Sequence, residues 1–476
     1  MVYMLLSMKI TQISKRLLAI LFSLGFGLLS AQEKYTLSGT ISEASSNETL
    51  IGVTIVFPSL RTGVTTNEYG FYSITLPEGD YEVVISYLGF EDIREQVRLT
   101  SDMKKDYNLV EEMAQLEEVV VTEDVEKLDI KKPQISVNSL SAQTIKQIPV
   151  VLGEADVIKS LILLPGVTNA GEASSGFNVR GGAADQNLIL LDEAIVFNSS
   201  HLFGFFSVFN PDAIKDVKLF KGGIPARYGG RVSSVLDIFQ KEGNSKELKV
   251  NGGIGAVASR VLVEGPIAKD RTAFLVGGRA SYAHLFLPLF DINNSAYFYD
   301  LNTKINHRIN ERNNIFLSGY FGRDLFNIND SFENVYGNAV GNFRWNHLFS
   351  DKLFSNLSVI YSDYFYGLEL DFVGFDWDSG IQNFNLKYDL KHYLNDKITL
   401  DYGLNNIYYV FNPGKIRPNR EDSGIVAQQL TKKYANEAAA YVSVEHRIGE
   451  QLSLNYGLRV SHFNRLGQDE LFVYEN

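Results

Sequence analysis

A chain of 476 residues has room for two or more domains at the usual allotment of roughly 100 to 200 residues each. Its net charge of −12 and pI near 5.2 come without any long Lys/Arg block, so the basic footprint of a nucleic-acid binder is missing and nucleic acid is excluded as a partner. With no cysteine there can be no disulfide scaffold, thiolate metal site, cysteine nucleophile or lipidated lipoprotein cysteine.

Lys9, Lys15 and Arg16 precede the apolar run 17–29, which ends at Ser30-Ala31-Gln32. This predicts a signal peptide over 1–31 cleaved near Ala31. The alternative, a membrane-spanning helix, needs about 20 apolar residues, and this run is shorter. No later stretch of 18 apolar residues exists, so an exported protein of this sequence that belongs in a membrane enters it as a barrel. A mean hydropathy of −0.06 with abundant Asn, Tyr, Phe and Gly suits strands with one wet and one apolar face.

Over 34–112, short alternating runs such as Gly52 to Pro58, Gly70 to Ile74 and Gly79 to Ile85 are separated by Gly and Pro, which predicts a small β-sandwich. None of the seven histidines forms the His-Glu-x-x-His pair of a zinc peptidase, so the module reads as a folded spacer or docking unit. At 116–123 lies Leu116-Glu117-Glu118-Val119-Val120-Val121-Thr122-Glu123. A β-branched run favours extended backbone, and an extended segment without a partner can be captured by the sheet edge of another protein. The alternative is an ordinary edge strand of the preceding domain.

The segment 124–241 reads as a small α/β domain. Gly153 to Leu164 is amphipathic at helical spacing and stopped by Pro165-Gly166, Leu188 to Leu191 is an apolar strand, and Asn210-Pro211-Asp212 predicts a second short helix running through Asp216. The pairs Gly181-Gly182, Gly222-Gly223 and Gly229-Gly230 mark backbone that needs positive φ or leaves no room for a side chain. Arg180, Arg227 and Arg231 are candidates to hold this domain to acidic groups on a surrounding wall by bidentate pairing, the alternative being solvated surface arginine. Over 246–476 the pattern becomes strict alternation in long runs. Phe384, Leu386, Tyr388 and Leu390 alternate with Asn383, Asn385, Lys387 and Asp389, and Leu452 to Val460 repeats the device. Length and alternation match transmembrane β-strands; a soluble sandwich, with strands of about five or six residues, is the alternative. His307, His347, His392 and His446 recur before short polar turns in the outward phase, which places them on one rim at headgroup level rather than in a metal cluster. Asn327 to Asn338, Glu369 to Ser379 and Asn412 to Thr431 are expected as long loops at the opposite rim.

Taken together, the Glu118-Val119-Val120-Val121-Thr122 segment, Phe177 to Gly182, Leu191-Asp192-Glu193 and the Gly222 to Arg231 run resemble the TonB-dependent outer-membrane receptors. The resemblance covers nearly the whole chain after Tyr35, and 34–112 is similar to the carboxypeptidase-regulatory-like domains that precede some of these receptors. It implies a mainly β protein with an N-terminal sandwich, a plug domain and a transmembrane antiparallel barrel in the outer membrane of a Gram-negative bacterium. It further implies that 118–122 is the TonB box, the handle for a periplasmic TonB energy-coupling protein. Arg180, Gly181, Gly182, Asp192, Arg227, Tyr228, Gly229, Gly230 and Arg231 match plug motifs, and Asn198, Ser199, His201 and Phe203 lie in an apical loop that faces the ligand. The implied partners are outer-membrane lipid and an extracellular small molecule, peptide or glycan. No catalytic residue, metal or cofactor is called for.

Geometry adds one expectation. A compact domain of about 120 residues is roughly 35 Å across, whereas about ten strands close to only about 20 Å and about 22 strands to roughly 44 Å. The segment 246–476 is therefore expected to hold about half of the strands of such a barrel, and no closing aromatic strand follows Leu471-Phe472-Val473. Active import through a plugged barrel is the expected function. A passive porin, which needs neither plug nor coupling segment, and a surface adhesin or assembly protein are the rivals.

Overall fold

The computed structural model describes residues 33–112, 136–148, 154–171, 176–290, 294–329, 331–449 and 452–467. The expected signal peptide, the 116–123 segment, Gly153, residues 172–175 and the stretch 471–476 lie outside these residues.

Residues 33–112 form two facing four-stranded sheets. In one, Lys34–Glu43 pairs antiparallel with Phe71–Pro77 and parallel with Met103–Lys104 and Tyr107–Leu109. In the other the order is Thr62–Thr65, Thr54–Phe57, Gly79–Ser86 and Ile93–Leu99. Alternate residues of both sheets, among them Leu37, Ile41, Tyr72, Ile55, Val83 and Leu99, meet in one apolar core. This is the expected sandwich, and its cause is the period-two pattern that turns every second side chain inward.

The next domain is built on a five-stranded sheet in the order Ala194–Ile195, Asn187–Leu191, Ser234–Gln240, Ile214–Phe220, Val137–Ser141. Only Asn187–Leu191 and Ser234–Gln240 pair in parallel, and both are fully buried, the first through the apolar run Leu188 to Leu191 and the second with Asp237 among its apolar residues. Two short helices cover it. Ala142–Gln147 is capped by Ser141, and Val157–Ile162 by Asp156, whose carboxylate accepts from the Lys159 N–H at 2.9 Å. The expected helix after Asn210 does not form. Instead Asn210 Oδ1 accepts from the Asp212 N–H at 3.1 Å in a tight turn, and the chain enters the strand Ile214–Phe220, where Ile214, Val217 and Leu219 feed the core. Asn can close a turn through its own side chain as readily as it caps a helix, and here the alternation beyond it decides the outcome.

Beyond residue 248 the chain is a meander of antiparallel strands. Along its path lie Lys249–Ile254, Ala258–Ala268, Thr272–Ser281, Asn294–Asn310, Asn313–Ile328, Phe332–Ser350, Leu353–Leu370, Phe375–Tyr393, Ile398–Pro418, Lys433–Ile448 and Leu452–Leu466, each paired with the next. This makes eleven strands among the described residues, where about ten are expected. A two-residue strand, Gln428–Gln429, adds to Ile398–Pro418. One face is apolar and open, with Leu386, Leu404 and Leu458 all more than half exposed; the other is polar and closed over the plug, with Asn383, Asn385 and Lys387 buried. Wall and plug share one core, since Tyr320, Val340 and Ile360 pack with Val217, Leu219 and Leu236.

The four histidines stand in register at one rim, opposite Thr272, Asn313, Leu353 and Ile398. His307 Nδ1 is 2.8 Å from Thr272 Oγ1, and His347 Nδ1 is 2.8 Å from Asn313 Oδ1. The opposite rim departs from expectation. Among the described residues, Asn327 to Asn338 and Glu369 to Ser379 are mostly strand, the second closed by a tight turn over 371–374, and of the three segments only Asn412 to Thr431 holds a long connection. Their Asn, Asp and Ser content signals polar wall positions rather than loops.

Candidate functional site

The centre of the plug–wall contact is a two-residue turn. Leu191 pairs with Ala194, and the Asp192 and Glu193 between them both have positive φ, +47° and +71°. A hairpin of this kind ordinarily uses Asn-Gly, and a non-glycine residue held there costs about 1 kcal/mol or more. What holds the turn is its pairing. Glu193 takes Lys387 Nζ at 2.8 Å, Arg344 Nε at 3.4 Å and Ser358 Oγ at 2.5 Å, while Asp192 takes Lys304 Nζ at 2.9 Å and the Gln240 N–H at 3.1 Å. Both carboxylates are buried. Burial pushes the Glu193 carboxyl up, but Lys387 and Arg344 outweigh it and hold the group well below the usual range; burial also pushes Asp192 up, and Lys304 and Arg344 leave it lowered. Around this turn Asp212 meets Arg260 at 2.7 Å, and Glu154 meets Arg279 at 3.4 Å.

In these pairs the polarity is the reverse of the expected one, with the acids on the plug and the bases on the wall, whereas His201 of the plug meets the wall acids Asp300 and Asp324. Arg180 is exposed and donates to Ser136 Oγ at 2.8 Å. Arg227 pairs with Glu68 of the N-terminal sandwich at 2.9 Å, and Arg231 is exposed and donates to the Gly230 carbonyl. Tyr228 lies under the Arg227 guanidinium and donates to Asp237 at 2.6 Å. Of the glycine pairs, Gly181 and Gly230 have φ of +83° and +78°, and Gly229 leaves the space that the Arg459 guanidinium of the wall fills while donating to the Arg227 carbonyl at 3.2 Å. Lys304, Arg344 and Lys387 were missed as site residues, although each sits in the inward phase of its strand beside Asn302, Asn342 and Asn385. A base in the inward phase is the signal that could have found them.

The apical loop divides. His201 is buried, its ring stacked on Phe298 at 4.2 Å, with Nδ1 2.7 Å from Asp324 and Nε2 3.1 Å from Asp300. Both ring nitrogens face carboxylates, an arrangement that favours the doubly protonated, charged ring. Burial pulls its pKa down, but Asp324 and Asp300 more than offset this and leave it raised. Ser199 is buried too, and Asn198 exchanges hydrogen bonds with Asn338 through its backbone. Phe203 alone of the four candidates presents an exposed ring, set edge-on to Phe326 at 5.3 Å; Phe205 beside it is also exposed, and Phe206 is buried. At the same end of the strands a cleft of about 500 Å³ is lined by Arg323, Tyr364, Tyr366, Asp376 and Arg417 among others. Aromatic faces interleaved with charged groups can stack on and hydrogen-bond a polar ligand.

Residues 37–121 match the CarboxypepD_reg-like domain family, and residues 129–235 match the TonB-dependent Receptor Plug Domain family. The chain is similar to TonB-dependent receptor P3 of Formosa agariphila, 26% identical over 253 residues that make up 50% of this chain and 24% of that protein. Among solved structures it resembles the siderophore receptor PirA of Pseudomonas aeruginosa, with a TM-score of 0.52, 16% identity and coverage of 70% of this chain and 56% of that one. It also resembles FpvA of P. aeruginosa, bound to heterologous pyoverdines, with a TM-score of 0.56, 13% identity and coverage of 71% and 53%. The chain therefore spans about a quarter of the curated relative and somewhat over half of these solved chains. A regulatory-like sandwich, a plug and a meandering antiparallel wall, in this order, define the architecture of a plugged receptor barrel. The chain thus carries a CarboxypepD_reg-like domain and a TonB-dependent Receptor Plug Domain, and it is similar in sequence and fold to TonB-dependent receptors.

Proposed function

We propose that this chain is the sandwich, plug and part of the wall of an outer-membrane receptor that binds an extracellular ligand and imports it when a TonB-type protein pulls on Glu118 to Thr122. The observation that carries this reading is the plug seated against the polar face of strands whose other face is apolar, through the Asp192-Glu193 turn. A plug fixed by buried ion pairs closes the path at rest, and the outer membrane has no proton gradient of its own, so opening needs work delivered from outside the barrel. That argues against a passive porin; an adhesin or assembly protein needs no plug at all. The ligand is a small molecule, peptide or glycan that meets Phe203, Phe205 and the cleft lined by Tyr364 and Tyr366. Arg180, Gly181, Gly182 and the Arg227 to Arg231 segment are assigned to shaping and seating the plug.

The test is uptake. A deletion strain grown on a panel of limiting iron chelates, cofactors, oligopeptides and oligosaccharides identifies the nutrient, and uptake of its labelled form is then measured with and without a protonophore. We expect the protonophore to abolish uptake and leave surface binding intact. Uptake that persists without the gradient contradicts the coupling.

A further inference from the structure

The N-terminal sandwich does more than trail from the plug. Its loop between the strands Thr62–Thr65 and Phe71–Pro77 enters the barrel at the histidine rim. Tyr69 there stacks on Phe354 of the wall at 5.1 Å, and Phe71 stacks on the same ring at 5.9 Å and packs against Tyr393 at 6.0 Å. Glu68 takes Arg227 of the plug at 2.9 Å and Lys218 at 3.6 Å. Burial pushes the Glu68 carboxyl up, and Arg227, Lys218 and Lys391 outweigh it and hold the group well below the usual range. A second anchor lies across the domain, where Thr49 Oγ1 donates to Glu242 at 2.5 Å and Glu48 Oε1 accepts from the Glu242 N–H at 3.0 Å. The Glu48 carboxyl, pushed up to about 7 by burial, shares Lys215 with Glu242. A passive spacer has no reason to bury an aromatic and two acids in another domain, since desolvating them costs free energy unless each finds its partner.

One residue joins this contact to the plug's own seat. The Arg344 guanidinium lies 5.3 Å over the Tyr69 ring and also pairs with Glu193. We propose that the sandwich is a latch: its Asn67 to Phe71 loop is an interaction surface for the plug and the barrel rim of the same chain, and docking there holds the plug in its seat through Arg344. Undocking the domain removes the Tyr69 ring from Arg344 and the Glu68 carboxylate from Arg227, which loosens the plug from the periplasmic side. The proposal draws on the importer reading only for the premise that the plug moves.

The test uses the full-length receptor in planar bilayers, with urea added until the plug yields and the barrel conducts. Neither a ligand nor a proton gradient is involved, so its outcome is independent of the uptake experiment. Tyr69→Ala is expected to lower the urea concentration of half-opening by about 1 M, while Tyr69→Phe, which keeps the ring, leaves it unchanged. Because the chain has no cysteine, Lys104→Cys with Glu311→Cys, at an exposed rim contact of 3.0 Å, pins the docked domain through a short bismaleimide. The pinned receptor is expected to open at higher urea than the same variant left unlinked. Equal midpoints for wild type, Tyr69→Ala and the pinned receptor, or failure of the two thiols to link, overturn the latch.

Discussion

Glu193→Ala is expected to unseat the plug. The change leaves Arg344 buried without its carboxylate, leaves Lys387 with Asp389 alone at 2.8 Å, and takes the acceptor from the Ser358 hydroxyl. Removing one partner of a buried pair costs roughly 3 to 5 kcal/mol, because the remaining charge stays desolvated. The turn cannot relax to offset the loss, since alanine at φ +71° is no easier to hold than glutamate. In planar bilayers the variant is expected to show spontaneous open events far more often than wild type. Arg180→Ala, which removes one hydrogen bond from an exposed side chain, is expected to match wild type within about 1 kcal/mol. If Arg180→Ala leaks and Glu193→Ala does not, the reversed polarity of the plug's seat is wrong.

His201→Ala is expected to free the apical loop. The imidazolium bridges Asp324 and Asp300, and its loss leaves Arg279 as the remaining cation paired with Asp300 and strips Asp324 of its 2.7 Å partner, at about 3 kcal/mol. The same geometry sets a pH dependence. A histidine whose folded pKa lies above its ordinary value contributes fully below about pH 6.5, and that contribution fades as pH rises through the raised value. A nitroxide placed at the exposed Phe205 reads this directly. Its spectrum is expected to be immobile near neutrality and to sharpen in alkali for the wild-type loop, and to be mobile at every pH in His201→Ala. A wild-type spectrum that is mobile at pH 6 and sharpens no further in alkali contradicts the assignment.

The strands were legible because two solvents write them. Leu386 and Leu458 stand in one phase and Asn385 and Lys387 in the other, and no local competitor blurs a period of two carried over so many residues. The sandwich and the apolar strand Asn187–Leu191 were read on the same grounds. Loops at the far rim were misread because Asn338 and Asn334 look like turn residues, whereas in the structure they are buried wall positions paired with Gly322 and Phe326. The site was harder. Asp192 and Glu193 could be picked out as a motif, but their partners lie more than 100 residues on, and only the meander's register brings Lys304, Arg344 and Lys387 over one turn. Arg227 illustrates the same gap: its motif suggested a wall partner, and the fold supplies Glu68 from the domain before it.

The claim on which the account rests is that 118–122 pairs, strand to strand, with an energy-coupling protein. Calorimetric titration of a synthetic peptide spanning 113–124 into the periplasmic domain of the host's TonB-type protein tests it without knowledge of the ligand. The wild-type peptide and Val120→Ala are expected to bind saturably with similar affinity, because alanine keeps the backbone N–H, while Val120→Pro removes that donor, fixes φ and loses binding. Absence of binding by the wild-type peptide, or undiminished binding by the proline peptide, contradicts it.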